Sequence, residues 1–105
     1  MAWVYLIIAG TFEVVWAMGL KYSQGFTKLL PSLITIVGMI ISFYFLSVAT
    51  KTLPIGTAYA IWTGIGAFGS VVLGIVLFHE PSGILRIFFL CLILAGIIGL
   101  KVTSA

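Results

Sequence analysis

Apolar residues occupy this chain in four long runs, and most polar residues and turn-formers fall between the runs. The first run extends from about Trp3 to Leu20, the second from about Leu30 to Thr50, the third from about Ile55 to Phe78 and the fourth from about Ile84 to Val102. Each is close to the roughly 20 residues that a helix needs to cross a hydrocarbon core about 30 Å thick. The separators are short and carry breakers: Lys21-Tyr22-Ser23-Gln24-Gly25-Phe26-Thr27-Lys28, then Lys51-Thr52-Leu53-Pro54, then His79-Glu80-Pro81-Ser82-Gly83. None is long enough for a second domain, so residues 1–105 are expected to form one four-helix transmembrane domain.

Composition makes lipid the solvent. Of 105 residues, 63% are hydrophobic and 7% charged, against roughly 25% charged in soluble domains. So short a chain has much surface for its volume, and in water it would expose long apolar stretches. A closed barrel would instead alternate apolar and polar residues in segments of about 10. Continuous apolar runs therefore point to an all-α integral membrane protein in which helices satisfy the backbone internally. The first run lacks a basic region before it and carries an acid in its middle, so it reads as a mature span and not as a secretory signal. The lone Cys91 permits no intrachain disulfide and reads as packing.

Charge enters as a question of orientation. Four spans put the N-terminus, the second loop and the C-terminus on one side with Lys51 and Lys101, and leave Lys21, Lys28 and Arg86 on the other. A bias of one cation barely selects an orientation. The formal net charge of +3 does not imply nucleic acid, because the cations are scattered at helix ends where headgroups lie, with no basic patch.

Function is best sought among polar groups inside the spans. With the first helix starting near Trp3, ten residues at 1.5 Å each place Glu13 about 15 Å deep, near the midplane. A carboxylate there costs at least a few kcal/mol and marks a proton site, an ion site or a buried pair. The chain has no cation at that depth, so a proton or cation site is expected, with an interhelical hydrogen bond from a protonated Glu as the bland alternative. Helical spacing sets Gly10, Trp16 and Ala17 beside Glu13. On the third helix Tyr59 and Trp62 share a face that continues through Gly66 and Gly69. A phenol can donate to a carboxylate, and aromatic faces attract cations. Ser42 brings a hydroxyl to comparable depth on the second helix.

Other patterns carry less. Gly64-Ile65-Gly66-Ala67-Phe68-Gly69 spells a dinucleotide fingerprint, but that motif needs a preceding strand and here it lies in an apolar helix. Gly66, Ser70 and Gly74 instead form a small-residue row suited to helix packing, and Cys91, Ala95 and Gly99 repeat it on the fourth helix. His79-Glu80 has no second histidine at zinc spacing and, with Pro81 next, reads as a solvated turn. No metal or cofactor is expected. No Ser, His and acid share a depth at which they could form a hydrolytic triad, so an enzyme is not expected either.

Three stretches carry a family resemblance that covers essentially the whole chain: Phe12-Glu13-Val14-Val15-Trp16-Ala17, the first loop from Leu20 to Thr27, and Leu53-Pro54-Ile55-Gly56-Thr57-Ala58-Tyr59-Ala60-Ile61-Trp62-Thr63-Gly64-Ile65-Gly66-Ala67. With four spans and one mid-helix Glu, the sequence resembles the small multidrug resistance transporters. Trp16, and Thr63 to Ala67 after Trp62, look like that family's guanidinium-exporting branch. The resemblance implies an antiparallel, dual-topology homodimer in the cell inner membrane, and the weak charge bias independently agrees with dual topology. It implies that both copies of Glu13 bind protons or a guanidinium-type cation in one site, with Gly10, Trp16, Ser42, Tyr59, Trp62 and Thr63 lining it. It also implies that the fourth helices pair in the dimer. The alternatives are export of hydrophobic quaternary ammonium or polyaromatic cations and, more remotely, a structural membrane subunit whose Glu13 bonds a partner helix.

Overall fold

The computed structural model describes residues 1–103, and these form four helices: α1 (Ala2–Tyr22), α2 (Leu29–Ala49), α3 (Ile55–Phe78) and α4 (Ile84–Thr103). Each is long and apolar enough to cross a membrane. Large apolar side chains stay exposed along every helix, among them Ile7, Leu33, Ile40, Val76, Phe88 and Phe89. Lipid, being as apolar as these side chains, leaves no penalty for such exposure. The chain is thus an all-helical, multi-pass membrane protein.

Two helix edges run past the apolar pattern for reasons visible in their contacts. α1 continues through Lys21 and Tyr22, where Tyr22 packs on Phe78 with ring centroids 5.0 Å apart and Lys21 Nζ sits 5.3 Å from the same ring's centroid. α4 continues to Thr103, whose hydroxyl returns to the Gly99 carbonyl at 2.8 Å. Proline falls where helices tolerate it: Pro31 in the first turn of α2, Pro54 just before α3, and Pro81 between α3 and α4. His79 ends α3 in the left-handed region at φ 55°.

Small residues let the backbones approach, and they make α1 the hub. Gly38 of α2 faces Trp16, so that a Cβ added at Gly38 would lie 3.1 Å from the Trp16 Cβ, and a Cβ at Gly69 of α3 would overlap Val14. α1 therefore packs along α2 on one side and α3 on the other, while α2 and α3 barely meet. The tight core gathers toward one end, from Leu6, Ala9, Ala49, Ala58, Ile61 and Trp62. α4 packs on α3, with only Leu90 of its residues buried. Cys91, Ala95 and Gly99 are exposed, and nothing lies within 4 Å of a Cβ added at Gly99, so this row packs against no other part of the described chain.

Candidate functional site

Glu13 lies one residue from the middle of α1, on the turn that faces α3. Its side chain occupies the space that Gly66 leaves open: a Cβ at position 66 would overlap Glu13 Oε1. Gly66 itself is near the middle of α3, so the contact sits at mid-membrane. Gly66 thus does more than admit another backbone, since its missing side chain makes the crevice that holds the carboxylate.

A cleft of about 250 Å³ opens here, lined by Glu13, Trp16 and Ala17 of α1 and by Thr63, Gly66, Ala67 and Ser70 of α3. No α2 or α4 residue closes it. Two buried side-chain atoms on this one turn of α1 have no hydrogen-bond partner, Glu13 Oε1 and Trp16 Nε1. Buried polar atoms in proteins are nearly always satisfied, and an exception calls for a ligand, a proton or a partner. The cleft is therefore bordered by a carboxylate and an indole that each keep one buried polar atom without a partner.

Of the residues expected from sequence to bind the cation or line its site, Glu13, Trp16 and Thr63 border this cleft, and Gly10, Ser42, Tyr59 and Trp62 do not. Ser42 is fully buried. Its hydroxyl donates to the Ala9 carbonyl at 2.6 Å and accepts the Trp62 Nε1–H at 2.9 Å. Ala9 is four residues before Glu13, so Ser42 ties α2 to the carbonyl that receives the Glu13 amide in the helical ladder. The Ser42–Trp62 pair thereby fixes the turn that carries the carboxylate, and the single Ser42 proton is committed to α1. Phe43 meets the Trp62 ring edge-on, centroids 5.7 Å apart. Tyr59 is exposed on α3 with its ring 5.5 Å from that of Trp62. Gly10 does not border the cleft, because Ile65 covers it: a Cβ at Gly10 would lie 2.5 Å from the Ile65 Cγ2.

Ser42→Ala should leave the Trp62 indole N–H without its acceptor in a dry interior. A loss of about 1 kcal/mol is expected, measured as a lower thermal unfolding midpoint of the purified protein in detergent.

Two features went unread in the sequence. One is the use of Gly66, Ser70 and Gly74, expected to pack helix on helix. Gly66 faces the Glu13 carboxylate, Ser70 lines the cleft, and a Cβ at Gly74 would lie 2.6 Å from Glu80 Oε1. The other is Glu80, expected in a solvated turn. Its amide donates to the Gly74 carbonyl at 3.2 Å and its carboxylate accepts from Arg86 Nη2 at 3.1 Å. The acid six residues beyond Gly74 was the available signal, but only the left-handed backbone at His79 turns it back onto α3.

Residues 1–93 match the protein family described as Small Multidrug Resistance protein. Among similar proteins, one from Yersinia pseudotuberculosis named Guanidinium exporter is 61% identical over 104 residues, covering 99% of this chain and all of the relative. Proteins of the same name from Citrobacter freundii and Salmonella typhimurium are 58% identical over 104 residues, covering 99% of each chain.

Proposed function

The chain belongs to the small multidrug resistance family, and from that premise we propose that it exports guanidinium and small guanidinyl compounds across the cell inner membrane in exchange for protons. The observation that carries the reading is the Glu13 carboxylate at mid-membrane, with a buried oxygen lacking a partner and the indole of Trp16 beside it. Guanidinium is a planar, delocalised cation that stays protonated at physiological pH. It meets a carboxylate through paired N–H···O bonds and stacks on aromatic faces. A quaternary ammonium neutralises the charge but has no N–H to give, so it would leave the Glu13 oxygen unsatisfied.

A carboxylate in the membrane is expensive to leave bare, and either a proton or a cation relieves that cost. The two therefore compete for Glu13, and guanidinium binding should weaken as pH falls. A protein that exposes this site to one side at a time, and switches side only when loaded, converts a proton gradient into outward cation movement. Trp16 and Thr63 line the cation's place, Ser42 and Trp62 hold the Glu13 turn in register, and Tyr59 and Gly10 act from outside the cleft. No metal or cofactor is needed for this exchange.

The functional unit in this reading is an antiparallel homodimer. The cleft uses one face of α1 and α3 alone, so a single chain forms only part of an enclosed site, and a second copy brings its own Glu13 to the same depth. The exposed row Cys91, Ala95 and Gly99 on α4 offers a surface for pairing. Near-balanced flanking cations permit both insertions. Labelling of cysteines introduced in the loops of intact cells should accordingly find each loop on both sides of the membrane. A single orientation for every copy would remove the antiparallel arrangement.

Purified protein in liposomes with an imposed pH gradient provides the direct test. Guanidinium should accumulate on the acidic side, and a bulky tetraalkylammonium should not. Accumulation of the quaternary ion with no guanidinium movement would reassign the substrate.

A further inference from the structure

The cleft at Glu13 does not end at Ser70. A second recess of about 260 Å³ shares Ala17 and Ser70 with it and continues along the α1–α3 seam to Lys21, Gly74, Phe78 and Glu80. Gly66 and Gly74 are about 12 Å apart along α3 at the helical rise. The seam thus has small residues along its floor and a carboxylate over a glycine at each end: Glu13 over Gly66 at mid-membrane, and Glu80 over Gly74 where α3 leaves the membrane.

The outer carboxylate already holds a guanidinium group. Glu80 Oε1 accepts from Arg86 Nη2 at 3.1 Å, with the two side chains 38% and 40% exposed. The Arg86 head group is an alkylguanidinium, the same ion type as the substrate. Lys21 lines the same recess, with its Nζ over the Phe78 ring. The mouth of the seam therefore sets two cations against one carboxylate, and it repels a third cation for as long as Arg86 sits on Glu80.

We propose that Glu80 is a second guanidinium-binding carboxylate at the mouth of the path to Glu13, and that Arg86 is its tethered competitor. The inference rests on guanidinium being the substrate. An exposed ion pair is weak enough to exchange readily. When Arg86 swings away, Glu80 takes the arriving guanidinium by the same N–H···O bonding, and the small residues of the seam lead that ion inward to Glu13. On the way out, Arg86 displaces the ion from Glu80 and so speeds its release.

The test is the KM for guanidinium in proteoliposomes of the full chain, under a fixed pH gradient and at a salt concentration that screens distant charges. Glu80→Gln should raise KM by about twofold to fivefold, the range of an exposed pair. Arg86→Gln should lower it by a similar factor, as should Arg86→Lys, which keeps the charge but loses the guanidinium. In the Glu80→Gln background, Arg86→Gln should add nothing, because the competitor has no carboxylate to hold. Equal directions for Glu80→Gln and Arg86→Gln would make the pair a structural latch and overturn the inference. A gain from Arg86→Gln that persists without Glu80 would reduce Arg86 to a repelling charge and overturn it equally. If wild-type protein moves no guanidinium, the substrate reading fails and takes this inference with it. Wild-type transport with either of the two contrary patterns removes this inference alone.

Discussion

Glu13→Gln is expected to abolish guanidinium uptake driven by a pH gradient while leaving the fold in place. The amide has nearly the shape of the carboxylate, and the space beside Gly66 accommodates it as it accommodates Glu13. What disappears is the charge and the proton. Hydrogen bonds to a charged partner are worth about 1.5–3 kcal/mol each, so losing the charged acceptor should weaken guanidinium binding by roughly 30-fold or more. Whatever binding remains should no longer vary with pH, because an amide neither takes up nor releases a proton in this range. Membrane insertion should survive, and even improve, since a neutral amide costs less at mid-membrane than a carboxylate. Glu13→Asp separates the two losses. It keeps the acid but withdraws it by one methylene from the crevice at Gly66, so binding should persist with altered pH dependence while turnover falls. Uptake in proteoliposomes and binding titrations across pH check both variants. If Glu13→Gln still accumulated guanidinium against its gradient, proton exchange at this residue would be wrong, and Glu13 would be a packing residue.

The four helices were legible because lipid imposes one simple requirement, a run of apolar residues of fixed length, and this chain meets it four times with Pro54, Pro81 and Gly83 between runs. Helix ends were less legible, because contacts between helices decide them. Lys21 and Tyr22 stay helical by closing on Phe78, a residue 56 positions further along than Tyr22. Within the site the same division holds. Glu13 stands out as a lone acid in an apolar run, and its neighbours on α1 follow from the helical period, which is why Trp16 and Ala17 could be named. Neighbours across helices depend on how each helix is rotated, and no period supplies that. Ser42 stands out by its depth, and Tyr59 and Trp62 by their shared face, but neither signal says that the Trp62 indole donates to the Ser42 hydroxyl and that this hydroxyl donates to the Ala9 carbonyl. A row of small residues is equally ambiguous. Gly66, Ser70 and Gly74 make a groove, and the sequence does not say whether a backbone, a carboxylate or a substrate fills it. Glu80 was obscured by Pro81 and Gly83, whose local meaning is a turn, whereas its partners are Gly74 behind it and Arg86 ahead.

Gly66→Ala puts that groove to its severest test, because helix propensity and site geometry push in opposite directions. In a helix interior alanine is favoured over glycine by about 1 kcal/mol, so α3 taken alone gains from the change. In the folded chain the new methyl overlaps the Glu13 carboxylate and its adjoining side-chain carbons. Two outcomes are open to the structure. Glu13 leaves the crevice for another rotamer, or α1 and α3 separate, and a separation also loosens the close contact of Val14 with Gly69 one turn on. A new rotamer moves the carboxylate relative to both Trp16 and Thr63, whereas a separation carries Trp16 along with it and moves both away from Thr63. Misplacement of a reacting or binding group by about 1 Å can cost on the order of 100-fold. Guanidinium uptake should accordingly fall by roughly 10-fold to 100-fold. Gly56→Ala is the matched control on the same helix, since nothing lies within 4 Å of a Cβ there, and it should transport normally with unchanged or slightly raised thermal stability. Should Gly66→Ala transport as well as the control, the carboxylate does not rest against α3 during the cycle, and the cation's place must be sought on another face of α1.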